Sequence, residues 1–248
     1  LRINPNLKDV HGNTPLHIAC QRENNLFVSN FIKLCPVEID INAINMKFET
    51  PFFIVCKNND FIIYNIMLES NLCDKIDFNL ASPIYVAAIK SNLYMFERML
   101  DIPGIDLNCN KNEVNLQTIS ENGQPYVREF DFRGYNLLHV LSSLDLPELL
   151  NKLIQMEQYD INESAVGNAF DGTPLIIALK HNRLKNLYLF FEHYGSGLDL
   201  SIYDSKGKAA VHYCFELANN EMNILQELIK IDDRIINMET LDAYRSTP

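Results

Sequence analysis

Thr14-Pro15-Leu16-His17-Ile18-Ala19-Cys20 is a motif that returns along this chain of 248 residues. Later copies begin at Thr50, Ser82, Asn136, Thr173 and Ala209, and Thr247-Pro248 repeats its first two residues. The steps between the first residues of successive copies are 36, 32, 54, 37, 36 and 38. Internal periods of roughly 20 to 50 residues are typical of repeat proteins, in which each copy is one small structural unit. The chain is therefore predicted to be an array of similar units.

Each copy carries the signals of a helix start. A Thr, Ser or Asn side chain at the first position can accept a hydrogen bond from the first helical turn. Proline follows in four copies, at the helix position where a missing N–H costs little. These prolines are Pro15, Pro51, Pro83 and Pro174. Ala209 lacks a capping side chain, so we expect the sixth of these helices to fray or to start late.

A second helix is predicted after each motif, because apolar residues then recur at steps of three and four. Phe27, Phe31 and Leu34 are one such series, and Leu149, Leu150 and Leu153 are another. An extended Asp-x-Asn element follows in several copies. These elements begin at Asp40, Asp77, Asp106 and Asp160.

The motif closely resembles the ankyrin repeat, whose T-P-L-H-x-A signature recurs at about 33 residues. The resemblance covers essentially the whole chain. It implies an all-α fold, a solenoid of stacked helix–turn–helix units with β-hairpin fingers near the Asp-x-Asn elements. It also implies a single domain over 1–248, and we expect the chain to be a fragment of a longer array. The predicted repeats are 9–44, 45–76, 77–108, 131–167, 168–203 and 204–241, with a partial repeat at 242–248 and an insert at 109–130.

Two irregularities in the spacing carry their own predictions. The short step before Ser82 removes finger residues, so the third finger is expected to be stunted. The long step adds the polar insert at 109–130, which contains Asn122-Gly123. This insert is interpreted either as a solvated surface loop or as a long hairpin that turns at Asn122-Gly123 and touches a partner.

Composition favours a soluble, cytoplasmic protein. No apolar run approaches membrane-spanning length, so direct membrane insertion is not expected, although a partner could recruit the chain to a membrane or an organelle. The six cysteines show no metal-ligand spacing. Cys20, Cys56 and Cys214 are predicted to be small buried core residues.

The sequence contains no recognisable catalytic, cofactor or metal site. There is no phosphate-binding loop, dinucleotide fingerprint or nucleophile elbow. His17, His139 and His212 share one motif position, where the resemblance implies a structural hydrogen-bonding residue. We therefore expect no catalytic residues, no cofactor and no metal in this chain.

The resemblance also implies where a partner binds, namely at the finger tips and the ends of the first helices. The 29 positions that the resemblance assigns to this partner-binding face hold eight basic and three acidic residues. The rest of the chain holds 13 basic and 29 acidic residues. The predicted basic residues are Arg22, Lys47, Lys57, Lys90, Arg133, Lys180, Lys206 and Lys208. A chain of net charge −11 is thus expected to present a basic concave face. The alternative is that Lys is merely a tolerated exposed residue there.

Aromatic residues fall at or beside several predicted finger tips. They are Phe78, Phe132, Tyr135 and Phe170. Exposed aromatics beside Arg or Lys are typical of interface hot spots, so Phe132, Tyr135 and Phe170 are predicted to anchor the partner. The alternative is that these rings pack on the adjacent finger.

The predicted function is a non-catalytic protein–protein interaction module, a scaffold or regulatory part of a larger protein. Its partner is expected to be an acidic or extended segment on the concave face. The alternative is the targeting or regulatory region of a larger enzyme, such as an acyltransferase, a nucleotide-exchange factor or a lipid-active protein. Nucleic-acid binding is disfavoured, because a net charge of −11 repels phosphate. The oligomeric state is left open.

Overall fold

A computed structural model describes residues 4–35, 38–107, 135–165, 171–216 and 221–232. The predicted insert at 109–130 and the partial repeat at 242–248 lie outside these residues. The chain divides into two compact units, unit 1 over Leu1–Asp131 and unit 2 over Phe132–Pro248. Each unit is described by itself.

Unit 1 contains three successive pairs of α-helices in its described part. Their bounds are α1 Pro15–Gln21, α2 Asn25–Leu34, α3 Pro51–Asn58, α4 Phe61–Leu68, α5 Pro83–Ile89 and α6 Leu93–Leu100, with a 3-10 turn at Cys73–Lys75. The first helices of the pairs form one layer, in which α1 packs on α3 and α3 on α5. The second helices form an outer layer, in which α2 packs on α4.

Unit 2 repeats this arrangement. Its helices are α7 Leu137–Ser143, α8 Pro147–Gln155, α9 Pro174–Lys180, α10 Leu184–Tyr194, α11 Ala210–Cys214 and α12 Glu221–Ile231, with a 3-10 turn at Gly195–Gly197. The helix α7 packs on α9 and α9 on α11, while α8 packs on α10. Within the described ranges the β-structure is limited to an isolated bridge between Ala165 and Gly172. The predicted fingers are therefore turns rather than paired strands wherever they are described.

The predicted helix starts are confirmed in four copies. The side chains of Thr14, Thr50, Asn136 and Thr173 each accept a hydrogen bond from the backbone N–H three residues later. The four predicted prolines occupy the start of the first turn. Local capping chemistry thus determines where these helices begin.

Ser82 does not cap α5, contrary to the prediction. Its backbone is left-handed, with φ 55°, and its side chain makes no capping hydrogen bond. The preceding Ala81 is also left-handed, with φ 63°. The third finger is stunted as expected, closed by a bond from the Leu80 N–H to the Asp77 carbonyl at 3.3 Å. The short finger thus ends in two consecutive left-handed residues, whereas the residues that do cap a first helix have an extended backbone.

The expected late start of α11 is also wrong. The helix begins at Ala210, directly after Ala209, in the register of the other copies. Nδ1 of His212 accepts the N–H of Ala209 at 3.1 Å, so the motif histidine holds the helix start without a capping oxygen. The histidine ring is buried, and its Nε2 has no hydrogen-bond partner among the described residues.

The Asp-x-Asn elements join one repeat to the next through side-chain amides. Asn42 donates from Nδ2 to the carbonyl of Lys75 at 2.7 Å and accepts at Oδ1 from the N–H of Asp77 at 2.9 Å. Asn6, Asn79 and Asn162 make the same pair of bonds to the equivalent backbone groups of the following repeat. This asparagine ladder takes the place of strand pairing between the repeats.

Candidate functional site

The described fingers are built from a recurring side-chain turn. Oδ1 of Asp9 accepts hydrogen bonds from the N–H groups of His11 at 2.9 Å and Asn13 at 2.8 Å. Asn45 and Asp204 accept from the residues two and four positions later in the same way. Asp and Asn favour such turns because their short side chains reach the backbone two residues on. Three finger tips therefore share one geometry.

The fourth residue of each of these turns is left-handed. Gly12, Phe48 and Gly207 have φ angles of 75°, 61° and 72°. The chain reverses at this point, and the second and third residues of the turn are exposed. These tip residues are Val10, His11, Met46, Lys47, Ser205 and Lys206.

In unit 1 the first two finger tips and the ends of α1 and α3 enclose a groove of about 420 Å³. We call it the finger groove. Its lining residues are His11, Asn13, Gln21, Asn45, Lys47, Glu49, Ile54, Lys57 and Asn58. The two tips are joined by a hydrogen bond from the N–H of Met46 to the carbonyl of His11 at 3.0 Å. The groove therefore crosses two consecutive repeats.

A polar network lies along the finger groove. Oδ1 of Asn13 accepts from Nε2 of Gln21 at 3.2 Å and from Nδ2 of Asn45 at 3.0 Å. Nδ2 of Asn45 also donates to Oε2 of Glu49 at 3.1 Å. Asn13, Asn45 and Glu49 are buried, so their amide and carboxylate groups are held in place by one another. This arrangement makes the groove wall a preorganised polar surface.

Lys57 belongs to the same network. Its Nζ donates to Oε1 of Glu49 at 3.0 Å. The side chain of Lys57 is 21% exposed and that of Glu49 only 9%. The ammonium group of Lys57 is thus neutralised by a neighbour within the groove.

In unit 2 the equivalent positions are occupied by an ion-pair cluster. Nζ of Lys180 lies 2.8 Å from Oδ2 of Asp204 and 3.6 Å from Oδ2 of Asp171. It also donates to the carbonyl oxygen of Asp171 at 2.6 Å and lies 5.1 Å from the centre of the Tyr213 ring. Asp171 and Asp204 come from successive fingers, so Lys180 clamps the two fingers together.

Tyr213 completes this cluster. Its hydroxyl donates to Asp204, and Nζ of Lys208 lies 5.4 Å from its ring centre while pairing with Glu216 at 2.5 Å. Burial alone would raise the pKa of Asp204, but hydrogen bonds from Lys180 and Tyr213 outweigh it and hold the pKa below the ordinary 3.8. Burial, and then the hydrogen bond to Asp204, raises the pKa of Tyr213. At neutral pH the cluster therefore holds a charged carboxylate and a neutral phenol.

The predicted basic residues fall into two groups. Lys57, Lys180 and Lys208 each face a carboxylate within 3.0 Å, so their charge is compensated within the chain. Arg22, Lys47, Lys90 and Lys206 are exposed. Arg133 lies outside the described residues.

The aromatic residues predicted for the binding face are buried or packed wherever they are described. Tyr135 is only 9% exposed, so the expectation of an exposed anchor is wrong at this position. Phe78 is half-buried and its ring packs edge-on against Phe52, with centres 5.1 Å apart and planes at 86°. Phe78 therefore packs on helix α3, which neither the exposed-anchor prediction nor the adjacent-finger alternative described. Phe132 and Phe170 lie outside the described residues.

Sequence reasoning missed Asp204 and Tyr213. A signal for Asp204 was present, because it lies five residues before Ala209, as Asp9 lies five before Thr14 and Asn45 five before Thr50. In each of these three fingers, the residue five positions before the motif is the one whose side chain accepts the two backbone N–H groups of the turn. Tyr213 carried no comparable signal, since the helix position alone does not show which group its hydroxyl meets.

The motif histidines are structural, as the resemblance implied. Nδ1 of His17 lies 2.8 Å from Oγ1 of Thr14, and its Nε2 lies 3.0 Å from the carbonyl oxygen of Glu49. Nε2 of His139 lies 3.0 Å from the carbonyl of Glu163. Burial lowers the pKa of both rings, against the opposing effect of these carbonyls.

Neither a metal-binding cluster nor a membrane-spanning helix is present among the described residues. No group of three or more His, Cys, Asp or Glu side chains is placed to hold a metal ion in this part of the chain. None of the described helices is long and apolar enough to cross a membrane.

The family model of the ankyrin repeat matches residues 11–46. This stretch runs from the first finger tip to the second, through α1 and α2. Its helix pair, finger and motif recur in both units. The chain has the ankyrin-repeat fold. No curated protein matches this ankyrin-repeat chain in sequence.

Solved structures with this fold are similar over most of the chain. The human ASB11 ankyrin repeat domain matches at TM-score 0.61 with 19% identity, covering 91% of this chain and 87% of its own. The ankyrin repeat domain of Bcl-3, of the IkappaB protein family, matches at TM-score 0.61 with 18% identity, covering 96% of this chain and 92% of its own. A chain in the complex of the Bd0816 predatory endopeptidase from Bdellovibrio bacteriovorus with immunity protein Bd3460 matches at TM-score 0.62 with 14% identity, covering 89% and 99%.

Proposed function

We propose that this chain is a protein-interaction module that binds an extended acidic segment of a partner protein along the finger groove of unit 1. Ankyrin repeats are generally protein–protein interaction modules. Ankyrin-repeat domains are also typically non-catalytic, and the proposal assigns binding alone to this chain. The partner is one part of a larger assembly in which the chain is a scaffold or regulatory element.

The observation that carries the proposal is the charge around the finger groove. Glu49 is the sole acidic residue in its lining, and it is already paired with Lys57. Lys47 at the second finger tip is exposed, as are Arg22 and Lys90 at the ends of α1 and α5. Arg22 and Lys90 follow the first helices of the first and third repeats, and Lys47 lies at the finger tip of the second, so an acidic segment that runs across the repeats meets several cations.

Apolar residues at the finger tips indicate that the partner segment also carries apolar side chains. Val10 is 70% exposed and Met46 is 44% exposed, and both lie beside the groove. Exposed Gln21 and half-buried Asn58 offer amide groups at its opposite end. The segment that fits best has acidic side chains interspersed with apolar ones and an extended backbone that can hydrogen-bond to these amides.

The test compares two double variants of equal charge change. Lys47→Glu with Lys90→Glu reverses charge beside the groove, and Lys33→Glu with Lys185→Glu reverses charge on exposed positions of the outer helices α2 and α10. Partners captured by the wild-type chain are identified, and the affinity of each purified partner is then measured for all three proteins. The groove variant is expected to bind at least about tenfold more weakly, whereas the outer-helix variant should bind as the wild type does.

The rate constants add a second criterion. Steering by exposed charges acts mainly on association, so the wild-type association rate should fall as salt is raised and the groove variant should lose this dependence. Undiminished affinity in the groove variant, or equal weakening in both variants, would refute the proposal.

We also propose a cytosolic location. Cys20, Cys56 and Cys214 are free and buried, and burial raises the pKa of each thiol. Reduced core thiols are typical of proteins in a reducing compartment. A fluorescent fusion of the chain should therefore distribute with cytosolic markers in fractionated cells. Recovery in a secreted or lumenal fraction would contradict this location.

A further inference from the structure

An exposed apolar strip runs across the outer layer of unit 1, away from the residues that line the finger groove. It consists of side chains in the first turns of α2, α4 and α6. We call it the outer strip, and its members are Leu26, Phe27, Phe61, Ile62, Leu93 and Tyr94, which are 69%, 42%, 46%, 58%, 44% and 43% exposed. Contiguous apolar patches of more than a few hundred Å² are uncommon on monomers and mark interaction sites.

The register of the repeats shows that an apolar residue at this exposed position is specific to unit 1 among the described repeats. Leu26, Ile62 and Tyr94 all lie twelve residues after the first residue of their motif. The same position in unit 2 is Glu148 in α8 and Lys185 in α10, and both are exposed. The position therefore faces solvent in both units, but it is charged in one unit and apolar in the other. Repeat architecture alone does not require apolar residues there.

Ring contacts hold part of the outer strip in a defined arrangement. The rings of Phe61 and Tyr94 meet edge-on at 5.9 Å between centres, which joins α4 to α6. The hydroxyl of Tyr94 donates to Oδ1 of Asn65 at 2.9 Å. Phe27 stacks on Phe31 of the following turn at 5.1 Å. These side chains form a preorganised surface, so a partner that binds there loses little entropy in ordering them.

We propose that the outer strip binds an amphipathic α-helix of a partner protein. The strip is narrow, since each helix contributes two neighbouring side chains, and it is about 20 Å long because packed helices lie 8–10 Å apart. A helix of about 14 residues spans that length. Six side chains of roughly 200 Å² each, about half exposed, offer about 600 Å², below the roughly 800 Å² per partner of a standard stable interface. The shape and the area thus favour one helix over a second copy of this chain.

The spacing of the strip also specifies the partner's sequence pattern. Neighbouring outer helices present their apolar pairs about 10 Å apart, which is the rise of about seven residues of helix. The partner helix should therefore carry apolar residues at steps of seven, with intervening ones at three or four, in the manner of helix-in-groove recognition. A polar outer face would complete the helix.

The probe for the test is a dye-labelled, stapled helical peptide of about 14 residues with leucines in this pattern. A second peptide has the same composition in scrambled order. Binding is measured by fluorescence anisotropy against wild-type chain and against Ile62→Glu with Tyr94→Lys, which installs the residue types of unit 2 and leaves the net charge unchanged. The matched control is Leu34→Glu with Leu7→Lys, because these side chains are 79% and 62% exposed and lie outside the strip.

The patterned peptide should bind the wild type and the control variant saturably, and the strip variant at least about tenfold more weakly. Methyl NMR of the wild type should show shifts at Leu26, Ile62 and Leu93 on addition of the peptide, a readout that does not depend on how any variant folds. Equal binding of both peptides, unsaturable binding, or equal affinity for the strip variant would overturn the proposal. A wild-type dimer that the strip variant converts to monomer would also overturn it, because a second copy of the chain would then occupy the strip. Methyl contacts between the strip and residues 108–134 in the free chain would do the same, because that segment would be the occupant.

Discussion

At the residue scale, the buried histidines link the helix starts to the next finger. The Nε2 of His17 lies against a carbonyl oxygen, so this nitrogen is assigned the proton, and Nδ1 accepts the N–H of Thr14 at 3.1 Å. If the ring took up a second proton, Nδ1 would become a donor. It would then face the backbone N–H of Thr14, which is also a donor. The fold therefore needs the neutral imidazole at this position, and His139 has the same environment.

The first prediction is a loss of stability on mild acidification. Burial lowers the folded-state pKa of His17 and His139 below the ordinary 6.5, so the unfolded chain takes up protons first. The contribution of the two neutral rings to the free energy of unfolding is complete above pH 6.5 and is lost as the pH falls through the pKa of the folded state. Urea unfolding at about pH 7.5 and about pH 5.5 should show a lower free energy of unfolding at the lower pH. His17→Gln with His139→Gln should flatten this slope, and an unchanged slope would contradict the assignment.

Lys180 shows how a residue chosen as a binding site can be structural. Its side chain is 16% exposed and that of its partner Asp204 is fully buried. Its ammonium group joins the carboxylates of two fingers above an aromatic ring. Removal of the lysine leaves a buried carboxylate without its counter-charge.

The second prediction follows from that arrangement. Lys180→Met should lower the free energy of unfolding by about 3 kcal/mol, because breaking a largely buried ion pair strands one charge. The exposed Lys206→Met should change it by less than about 0.5 kcal/mol. Both values come from urea unfolding at neutral pH. Equal effects of the two variants would show that the cluster contributes nothing beyond an exposed charge.

At the scale of elements, successive repeats are joined by two kinds of contact. The helices pack in layers, and the asparagine ladder joins the segments between them. Each ladder asparagine satisfies one N–H and one C=O group of the next repeat, in the way that a paired strand would. The loops thus keep their backbone groups hydrogen-bonded without forming a sheet.

The third prediction tests the ladder. Asn42→Ala removes both bonds to the Lys75 and Asp77 backbone and should lower the free energy of unfolding by about 1 to 2 kcal/mol. Amide exchange at Asp77 should also speed up, because its N–H loses the Oδ1 acceptor. Asn30→Ala, at an exposed position of α2, is the control and should change neither quantity. A ladder variant with wild-type exchange at Asp77 would disprove this role.

At the scale of the whole molecule, charge limits which ligands can be bound. The chain carries 32 acidic and 21 basic residues, a net charge of −11. Three of the cations on the predicted binding positions are consumed by internal ion pairs. Exposed cations beside the finger groove can guide a short acidic segment, but a long polyanion also meets the negatively charged remainder of the molecule.

The fourth prediction is therefore selectivity between acidic ligands. A labelled DNA duplex of about 20 base pairs should show no saturable binding by anisotropy at physiological salt, because the net charge repels phosphate. An extended acidic peptide of the proposed type should bind under the same conditions. A duplex affinity that rises steeply as salt is lowered, and that Lys47→Glu with Lys90→Glu abolishes, would reverse this conclusion.

The repeat spacing, the helix starts and the family resemblance could all be read from the sequence. Their causes are local: a capping oxygen such as that of Thr14 or Thr50 meets an N–H three residues away, and Pro15 fixes the first turn beside it. The motif histidines could be recognised as structural for the same reason, since they recur at one place in the repeat. Interactions over a few residues repeat wherever the motif repeats.

The composition of the binding surface was decided by the tertiary structure. Lys180 meets Asp204 across 24 positions of sequence because one finger is laid over the next, and no count of charges by position could reveal that pairing. Tyr135 is buried although its sequence position beside a finger predicted an exposed ring. The outer strip likewise emerges when α2, α4 and α6 align their first turns. Exposure and ion pairing depend on which distant groups are brought together, and packing between repeats determines that.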